Sequence, residues 1–171
     1  MQLKFLFMIE VIELSAEQTF SLRAAVLRAG IPLNEVDFGD ENAPGSRHFA
    51  AFIVGELNRE LVGAGYISPI SEPDDGIGGD AATPPRCAGG WQLRGMSVDE
   101  NQRGRGIGRA VLQRCIAAAR EESAPVLWCN ARVRAVPLYL RAGFVGVGEV
   151  FEIVGIGPHL RMRLPLQCYR D

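Results

Sequence analysis

The sequence has few of the residues that build metal centres or disulfide frameworks. It contains two histidines, His48 and His159, which stand far apart, and four cysteines, none of which forms a C-x-x-C pair. Clustered histidines and cysteines mark zinc sites, and regularly spaced cysteines mark small secreted folds. We therefore expect no bound metal, and free thiols in a reducing compartment.

A strong positive charge and long apolar runs are also missing. The formal net charge of −2 at pH 7 argues against broad binding to nucleic acid, which requires a cationic face. No stretch approaches the ~20 apolar residues of a membrane span. The apolar start, MQLKFLFMIEVIEL, is interrupted at Glu10 and Glu13, so it predicts a first strand and not a signal peptide. We expect a cytoplasmic protein with neither nucleic acid nor a membrane as its partner.

The sequence does contain alternating strand and helix patterns, over a length that is typical of one domain. A capping-box signal at Ser15 and Gln18 begins a helix that Gly30 ends, with Phe20 and Ala24 on its core face. Further along, the patterns predict a hairpin at 48–54 and 61–68, a strand at 91–98, a helix at about 106–121, a strand at 125–132, a short helix ended by Gly143, and two closing strands joined at 155–158. This order predicts one α/β (α+β) domain over residues 1–171, a mixed sheet flanked by helices.

A glycine-rich turn, NQRGRGIGRAVL, joins the strand at 91–98 to the next helix. It contains Gly104, Gly106 and Gly108. The first N–H groups of a helix have no partner within the helix and lie at its positive end, so a phosphate group fits there. Glycine lets the backbone approach a pyrophosphate closely, and Arg103, Arg105 and Arg109 add full positive charges.

The spacing within this turn separates it from two familiar phosphate motifs. G-x-G-x-x-G would require glycine in place of Arg109, and the Gly-Lys-Ser/Thr of a Walker loop is absent. The spacing present is Arg103-x-x-Gly106-x-Gly108. The stretch LRGMSVDENQRGRGIGRAVLQRCI thus resembles the acyl-CoA-binding motif of the GNAT superfamily of N-acyltransferases, Gln/Arg-x-x-Gly-x-Gly/Ala.

A second stretch, NARVRAVPLYLRAGF, resembles a further motif of the same family through Asn130, Tyr139, Gly143 and Phe144. The resemblance runs from about residue 48 to the C-terminus. It implies a mixed, mostly antiparallel sheet of about seven strands with about four helices, splayed between strands four and five. It also implies acetyl-CoA, or another acyl-CoA, as the co-substrate.

The resemblance assigns a set of residues to acyl-CoA. They are Met96, Ser97, Val98, Arg103, Gly104, Arg105, Gly106, Ile107, Gly108, Arg109, Asn130 and Tyr139. The backbone N–H groups of Met96 and Val98 would hold the pantetheine arm and the thioester carbonyl, and the amides of 103–109 the pyrophosphate. Gly95 lies where this family often has a β-bulge, which would turn those amides outward.

The resemblance also suggests catalytic residues. Tyr139 occupies the family position of the acid that protonates the departing thiolate, although an aromatic that packs a helix on the sheet is the alternative. The family has no fixed base, so we consider Glu149, Glu152 and His159 on the last hairpin and favour the latter two. For His159 the alternative is a turn histidine that hydrogen-bonds the backbone.

Two loops bear on the acceptor. The segment 34–41 contains Glu35, Asp37, Asp40 and Glu41, which would attract a cationic amine or form a solvated loop. The long segment 69–90 is either a lid or an insertion. A homodimer is common for such domains and is our expectation here.

Together these features predict an N-acyltransferase. It would move an acetyl or short acyl group from acyl-CoA to a primary amine of a small molecule or peptide, by direct attack in a ternary complex. Two alternatives remain at this point: a CoA-binding sensor without turnover, and a nucleotide- or nucleic-acid-binding domain that uses the Arg/Gly turn.

Overall fold

A computed structural model describes residues 8–36, 38, 42–55, 58–70 and 90–166. The strands are β1 (Met8–Leu14), β2 (Arg47–Val54), β3 (Arg59–Ser68), β4 (Trp91–Val98), β5 (Val126–Arg132), β6 (Val145–Ile153) and β7 (Gly157–Pro165). The α-helices are α1 (Ala16–Leu27), α2 (Ile107–Glu121) and α3 (Val136–Arg141). The predicted order of elements is confirmed, and each predicted strand and helix lies close to its expected bounds.

One seven-stranded sheet carries the structure, in the order β1-β2-β3-β4-β5-β7-β6. The β4–β5 pair is parallel, and the other neighbours are antiparallel. The mixed, mostly antiparallel sheet is therefore confirmed.

The described residues form three α-helices, where about four were expected. After α1 the chain forms a short 3₁₀ turn at Leu33–Glu35, with Pro32 before it and an extended Val36 after it.

Helix α1 begins at the predicted capping box. The backbone N–H of Gln18 donates to Ser15 Oγ over 3.3 Å, and the N–H of Ser15 donates to Gln18 Oε1 over 3.1 Å. The predicted core face is only partly right: Ala24 is buried, but Phe20 is half-buried and Arg23 is fully enclosed. Burial of Arg23 is possible because its guanidinium donates to Thr19 Oγ1 and to a backbone carbonyl, each over 3.1 Å.

Helix α2 covers the centre of the sheet with the predicted apolar face. Ile107, Val111, Cys115 and Ala118 are all buried. The helix lies close to β3 because that strand has glycine beneath it: a Cβ at Gly63 would lie 2.6 Å from Cγ2 of Ile107. This close packing fixes the position of the glycine-rich turn that precedes α2.

Candidate active site

Strands β4 and β5 separate soon after they begin. Their parallel pairing joins Trp91 to Leu127 and Gln92 to Trp128, while β4 continues to Val98 and β5 to Arg132. Both tryptophans are buried, as expected of core residues. The predicted splay between strands four and five is confirmed, and it leaves backbone groups of both strands facing a gap.

A β-bulge at Gly95 bends β4 at the start of the gap. Between the pairs Ala64–Ser97 and Tyr66–Arg94, β4 has one residue more than β3. Gly95 has φ of +64°, and a Cβ there would lie 2.7 Å from Cδ1 of Tyr66. Glycine is therefore required at the predicted bulge both by its backbone angle and by the space available.

The register of β4 indicates which amide faces the gap. The N–H of Asp99 donates to the carbonyl of Val62 on β3 over 2.9 Å. Successive N–H groups of a strand point to opposite sides, so the N–H of Val98 points away from β3 and towards β5. A carbonyl group in the gap can accept a hydrogen bond from it.

The glycine-rich turn forms an open concave surface at the N-terminus of α2. Gly106 caps the helix with φ of +85°, and the first helical hydrogen bond runs from the N–H of Ala110 to Gly106 O over 3.0 Å. The preceding amides of residues 107–109 therefore have no partner within the helix. A Cβ at Gly104 or Gly106 would meet nothing within 4 Å, so the space above them is open to a ligand.

Within the described part of the chain, two of the three arginines beside this turn have side-chain partners. Arg103 pairs with Glu100 at 3.1 Å on the surface, and Arg105 donates to the side-chain oxygen of Gln102. Arg109 is exposed on the first turn of α2. A hollow of about 640 Å³ lies here, and its walls include the predicted residues Arg103, Gly104, Gly106, Ile107, Gly108 and Arg109.

A cavity of about 510 Å³ occupies the gap between β4 and β5. Its walls include the predicted residues Met96, Ser97, Val98, Arg103, Gly108, Asn130, Tyr139 and His159. Val98, Arg103, Gly108 and Leu138 line both this cavity and the hollow above α2, so the two adjoin along one groove. Arg105 lines neither of them.

Two polar atoms in the wall of this cavity have no hydrogen-bond partner among the described residues. They are Ser97 Oγ and Asn130 Oδ1, and both are buried. A buried polar atom without a partner is unfavourable, and a polar ligand in the gap would supply the missing hydrogen bonds. This fits the amide-containing pantetheine arm of CoA.

Tyr139 lies on α3 with 5% of its surface exposed, and its ring meets that of Phe144 edge-on at 5.5 Å. Burial raises the pKa of Tyr139 well above its ordinary value of 10, and Cys129 and Cys115 nearby raise it further. The phenol is therefore protonated at physiological pH. Burial also raises the pKa of both cysteine thiols, so they stay neutral.

His159 lies on β7 with 5% of its surface exposed and lines the same cavity as Tyr139. Its Nδ1 lies 2.7 Å from the carbonyl oxygen of Gly157. A carbonyl can only accept, so Nδ1 carries the hydrogen, and in the neutral ring Nε2 is left as an acceptor. The backbone hydrogen bond of a turn histidine is thus present together with a nitrogen that can accept a proton.

The other predicted groups lie elsewhere. Glu149 and Glu152 are exposed on β6 and do not line the cavity. Glu35 is exposed after α1. Asp37, Asp40, Glu41 and most of the segment 69–90, which was predicted to be either a lid or an insertion, lie outside the described residues. Among the described residues, no three His, Cys, Asp or Glu side chains come together as a metal site requires. None of the described helices is long and apolar enough to cross a membrane.

A group of arginines in the cavity wall was not predicted from the sequence. They are Arg28, Arg94, Arg132 and Arg134. They come from the end of α1, from β4, from the end of β5 and from the 3₁₀ turn after it. No sequence pattern joins them, because the fold alone brings these four segments together.

The geometry agrees with comparisons to known proteins. The family model described as the acetyltransferase (GNAT) family matches residues 14–144. The chain belongs to the GNAT family. It is 29% identical over 163 residues to the uncharacterized N-acetyltransferase YitI of Bacillus subtilis (strain 168), covering 95% of this chain and 100% of that protein.

Solved structures share the fold. The ribosomal-protein-S18-alanine N-acetyltransferase of Escherichia coli superposes with a TM-score of 0.66 at 14% identity, covering 96% of this chain and 97% of that one. A Bacillus subtilis acetyltransferase in complex with CoA superposes with a TM-score of 0.58 at 18% identity, covering 94% and 99%. As a GNAT enzyme, this protein transfers an acyl group from acyl-CoA to an amine.

Proposed function

We propose that acyl transfer takes place in the cavity between β4 and β5, with Tyr139 as the acid and His159 as the base. The observation that carries this proposal is that both side chains line one cavity together with the orphaned Ser97 Oγ and Asn130 Oδ1. This cavity adjoins the hollow at the N-terminus of α2.

The residues that would hold acyl-CoA follow from the wall that the cavity and the hollow share. The amides of residues 107–109, with Arg103 and Arg109, would bind the pyrophosphate at the positive end of α2. Arg105 lines neither part of the groove, and its contribution stays a prediction. The arm would enter the gap beside Asn130 and Ser97, and the thioester carbonyl would accept a hydrogen bond from Val98 N–H. We also assign Met96 to the wall of this gap.

Bound acyl-CoA supplies an acyl carbon activated as a thioester. The neutral acceptor amine attacks this carbon, so that a C–N bond forms and the C–S bond breaks. The amine gives up one proton and the sulfur gains one, which yields an amide and free CoA thiol. Val98 N–H stabilises the negative charge that develops on the carbonyl oxygen during attack.

Tyr139 is suited to the proton donation. Its phenol is protonated at physiological pH, since its ordinary pKa is 10 and burial raises it further. It is held in one orientation by its edge-on contact with Phe144. A thiolate released beside this hydroxyl can take its proton, provided that the proton is returned from the acceptor side after transfer.

His159 is suited to the proton abstraction. The hydrogen bond from Nδ1 to Gly157 O fixes the ring and leaves Nε2 as the acceptor. Glu152 is exposed and lies outside the cavity wall, so a direct role for it requires a water chain. The role of Glu152 stays a prediction.

A thiol-release assay tests the proposal. Purified protein with acetyl-CoA and a panel of amino acids, polyamines, aminoglycosides and peptides should release CoA thiol with at least one acceptor, in equal amount to the amide formed. Propionyl-CoA and butyryl-CoA define the acyl preference. Tight CoA binding without release for any acceptor would instead support a sensor.

Three broader expectations also remain proposals. The described residues share one hydrophobic core, which supports a single N-acetyltransferase-like domain over 1–171. A cytoplasmic location and a homodimer are predicted from the sequence and the family. Cell fractionation and light scattering with size-exclusion chromatography test them.

A further inference from the structure

Part of the cavity wall is cationic. Arg28, Arg94, Arg132 and Arg134 line it, and the described part of the lining contains neither aspartate nor glutamate. Arginine is always charged in proteins, so this face presents four positive charges to whatever enters. An acceptor that remains a cation would be repelled from this face.

Two of these arginines converge on one atom. Arg28 Nη1 and Arg132 Nη2 donate to the carbonyl oxygen of Leu27, over 3.1 and 3.3 Å. This carbonyl is the last of α1 and lies at the negative end of the helix, which fixes both guanidinium groups at the cavity. Each guanidinium has five N–H donors, so several remain available to a ligand.

The four groups also affect one another. Burial lowers the pKa of Arg94, and Arg28 lowers it further. Burial likewise lowers the pKa of Arg132, with smaller effects from Arg134 and Arg28. Like charges held this close destabilise one another, and an anion placed between them would relieve the repulsion.

We propose that this cavity selects a small acceptor amine that also carries a carboxylate or phosphate group, an inference that rests on the proposed function. The anionic group binds Arg28 and Arg132, with Arg134 at the rim, and the amine points towards the thioester and His159. This differs from the cationic amine that the acidic segment 34–41 would attract.

The same arginines would help to form the nucleophile. An amine attacks only after it has lost the proton of its ammonium form. Positive charges nearby lower the pKa of a bound ammonium group, because they destabilise its charged form. The carboxylate or phosphate thus provides binding, while the surrounding charges favour the neutral amine that reacts with the acyl carbon.

Matched pairs of acceptors test the inference. We would compare β-alanine with β-alaninamide, glycine with glycinamide, and phosphoethanolamine with ethanolamine, with putrescine as a cationic amine and an acidic peptide as a macromolecular one. The rates of CoA-thiol release are corrected for the fraction of unprotonated amine. We expect kcat/KM to be higher for the anionic member of at least one pair by about ten- to hundredfold, as for a hydrogen bond to a charged group. The preferred anion distinguishes carboxylate from phosphate.

Variants locate the effect. Arg28→Gln and Arg132→Gln should raise KM for the anionic amine and leave the affinity for acetyl-CoA, measured by titration calorimetry, unchanged. Arg120→Gln is the matched control, because Arg120 is exposed on α2 and lines neither the cavity nor the hollow. If acetyl-CoA affinity falls instead, these arginines bind the donor and the inference is wrong.

Other outcomes are equally decisive. Equal or higher kcat/KM for the neutral or cationic amines, or transfer to the acidic peptide alone, would overturn the inference while leaving acyl transfer intact. If no amine leads to release of CoA thiol, the proposed function fails. The preference for anionic amines can then still be tested by measuring how tightly the amines bind to the acetyl-CoA complex. In that case the anionic amines should raise the melting temperature of the acetyl-CoA complex more than their neutral partners, and equal shifts would overturn the inference.

Discussion

His159 donates a hydrogen bond from Nδ1 to the carbonyl oxygen of Gly157, two residues earlier on the same strand, β7. The bond holds the imidazole at the cavity wall and fixes which of its two nitrogens can accept a proton. A local hydrogen bond to the backbone thereby orients the candidate base.

For His159 we predict a large loss of activity. His159→Gln should lower kcat/KM by about 10²–10⁴-fold at neutral pH, the usual contribution of a general base. Initial rates of CoA-thiol release, measured with saturating acetyl-CoA and varied acceptor, check this. An unchanged kcat/KM in the variant would show that another group is the base.

Tyr139→Phe keeps the ring and its packing on Phe144 but removes the hydroxyl. We expect kcat to fall by about 10²–10⁴-fold while the affinity for acetyl-CoA stays the same. Because burial raises the pKa of Tyr139 well above 10, its ionisation should produce no alkaline decline below that pH. Unchanged kcat in the variant would show that Tyr139 only packs α3 on the sheet.

The open space at Gly106 gives a prediction for donor binding. Gly106→Val should weaken acetyl-CoA binding by at least about tenfold, or about 1.4 kcal/mol, because the side chain would occupy the place of the pyrophosphate. Gly30→Val is the matched control: its φ of +87° matches the +85° of Gly106, and a Cβ would meet nothing within 4 Å at either residue. Both variants should lose similar unfolding free energy, and only the first should lose affinity in calorimetry. Equal affinity in both would show that the pyrophosphate lies elsewhere.

The bulge at Gly95 gives a prediction for stability. Gly95→Ala should lower the free energy of unfolding by about 2–5 kcal/mol, because the residue has a left-handed backbone and its Cβ would overlap the ring of Tyr66. Gly104→Ala, with φ of +77° and open space, should lose about 1–2 kcal/mol from the backbone alone. Urea unfolding without ligand measures both. Similar losses would mean that Tyr66 moves aside without penalty.

Acid should weaken the contact between β1 and β2. Arg47 binds both carboxylate oxygens of Glu13, at 2.9 and 2.7 Å, and its hydrogen bonds hold the pKa of Glu13 below the ordinary 4.5. The folded state thus binds the proton less readily than the unfolded state, so this stability is present above pH ~4.5 and is lost as the pH falls through the lower folded pKa. Glu13→Gln should flatten the fall of unfolding free energy in that range. Glu60→Gln, an exposed carboxylate without an ion pair among the described residues, should not.

Much of the fold could be predicted because it depends on interactions between residues that are close in the sequence. The capping box at Ser15, the bulge at Gly95 and the stripe from Ile107 to Ala118 each follow from the residues present. The face of α1 was predicted less well, since periodicity marks apolar positions and does not anticipate a buried Arg23 with its donors satisfied internally. The resemblance implied about four helices, whereas the described residues form three.

The candidate site, too, could be predicted only in part from the sequence. The glycine-rich turn and Tyr139 are contiguous motifs, so the sequence alone located them. The orphaned oxygens of Ser97 and Asn130, and the shared bonding of Arg28 and Arg132 to Leu27, depend on how separate segments meet. Such long-range groupings carry no local signature, and the acceptor side of the site is made largely of them.

The short pairing of β4 with β5 divides the sheet into two ribbons, β1–β4 and β5–β7, tethered at Trp91 and Gln92. The first ribbon packs against α1 and α2 and so holds the glycine-rich turn in place, whereas the second contains Asn130 and His159 and packs against α3, which carries Tyr139. An amide group of the pantetheine arm that formed hydrogen bonds to both β4 and β5 would link the two ribbons across the gap. Binding of acyl-CoA in the gap would therefore fix the angle between the two ribbons. Hydrogen exchange should then slow at the backbone amides of both β4 and β5 that face the gap.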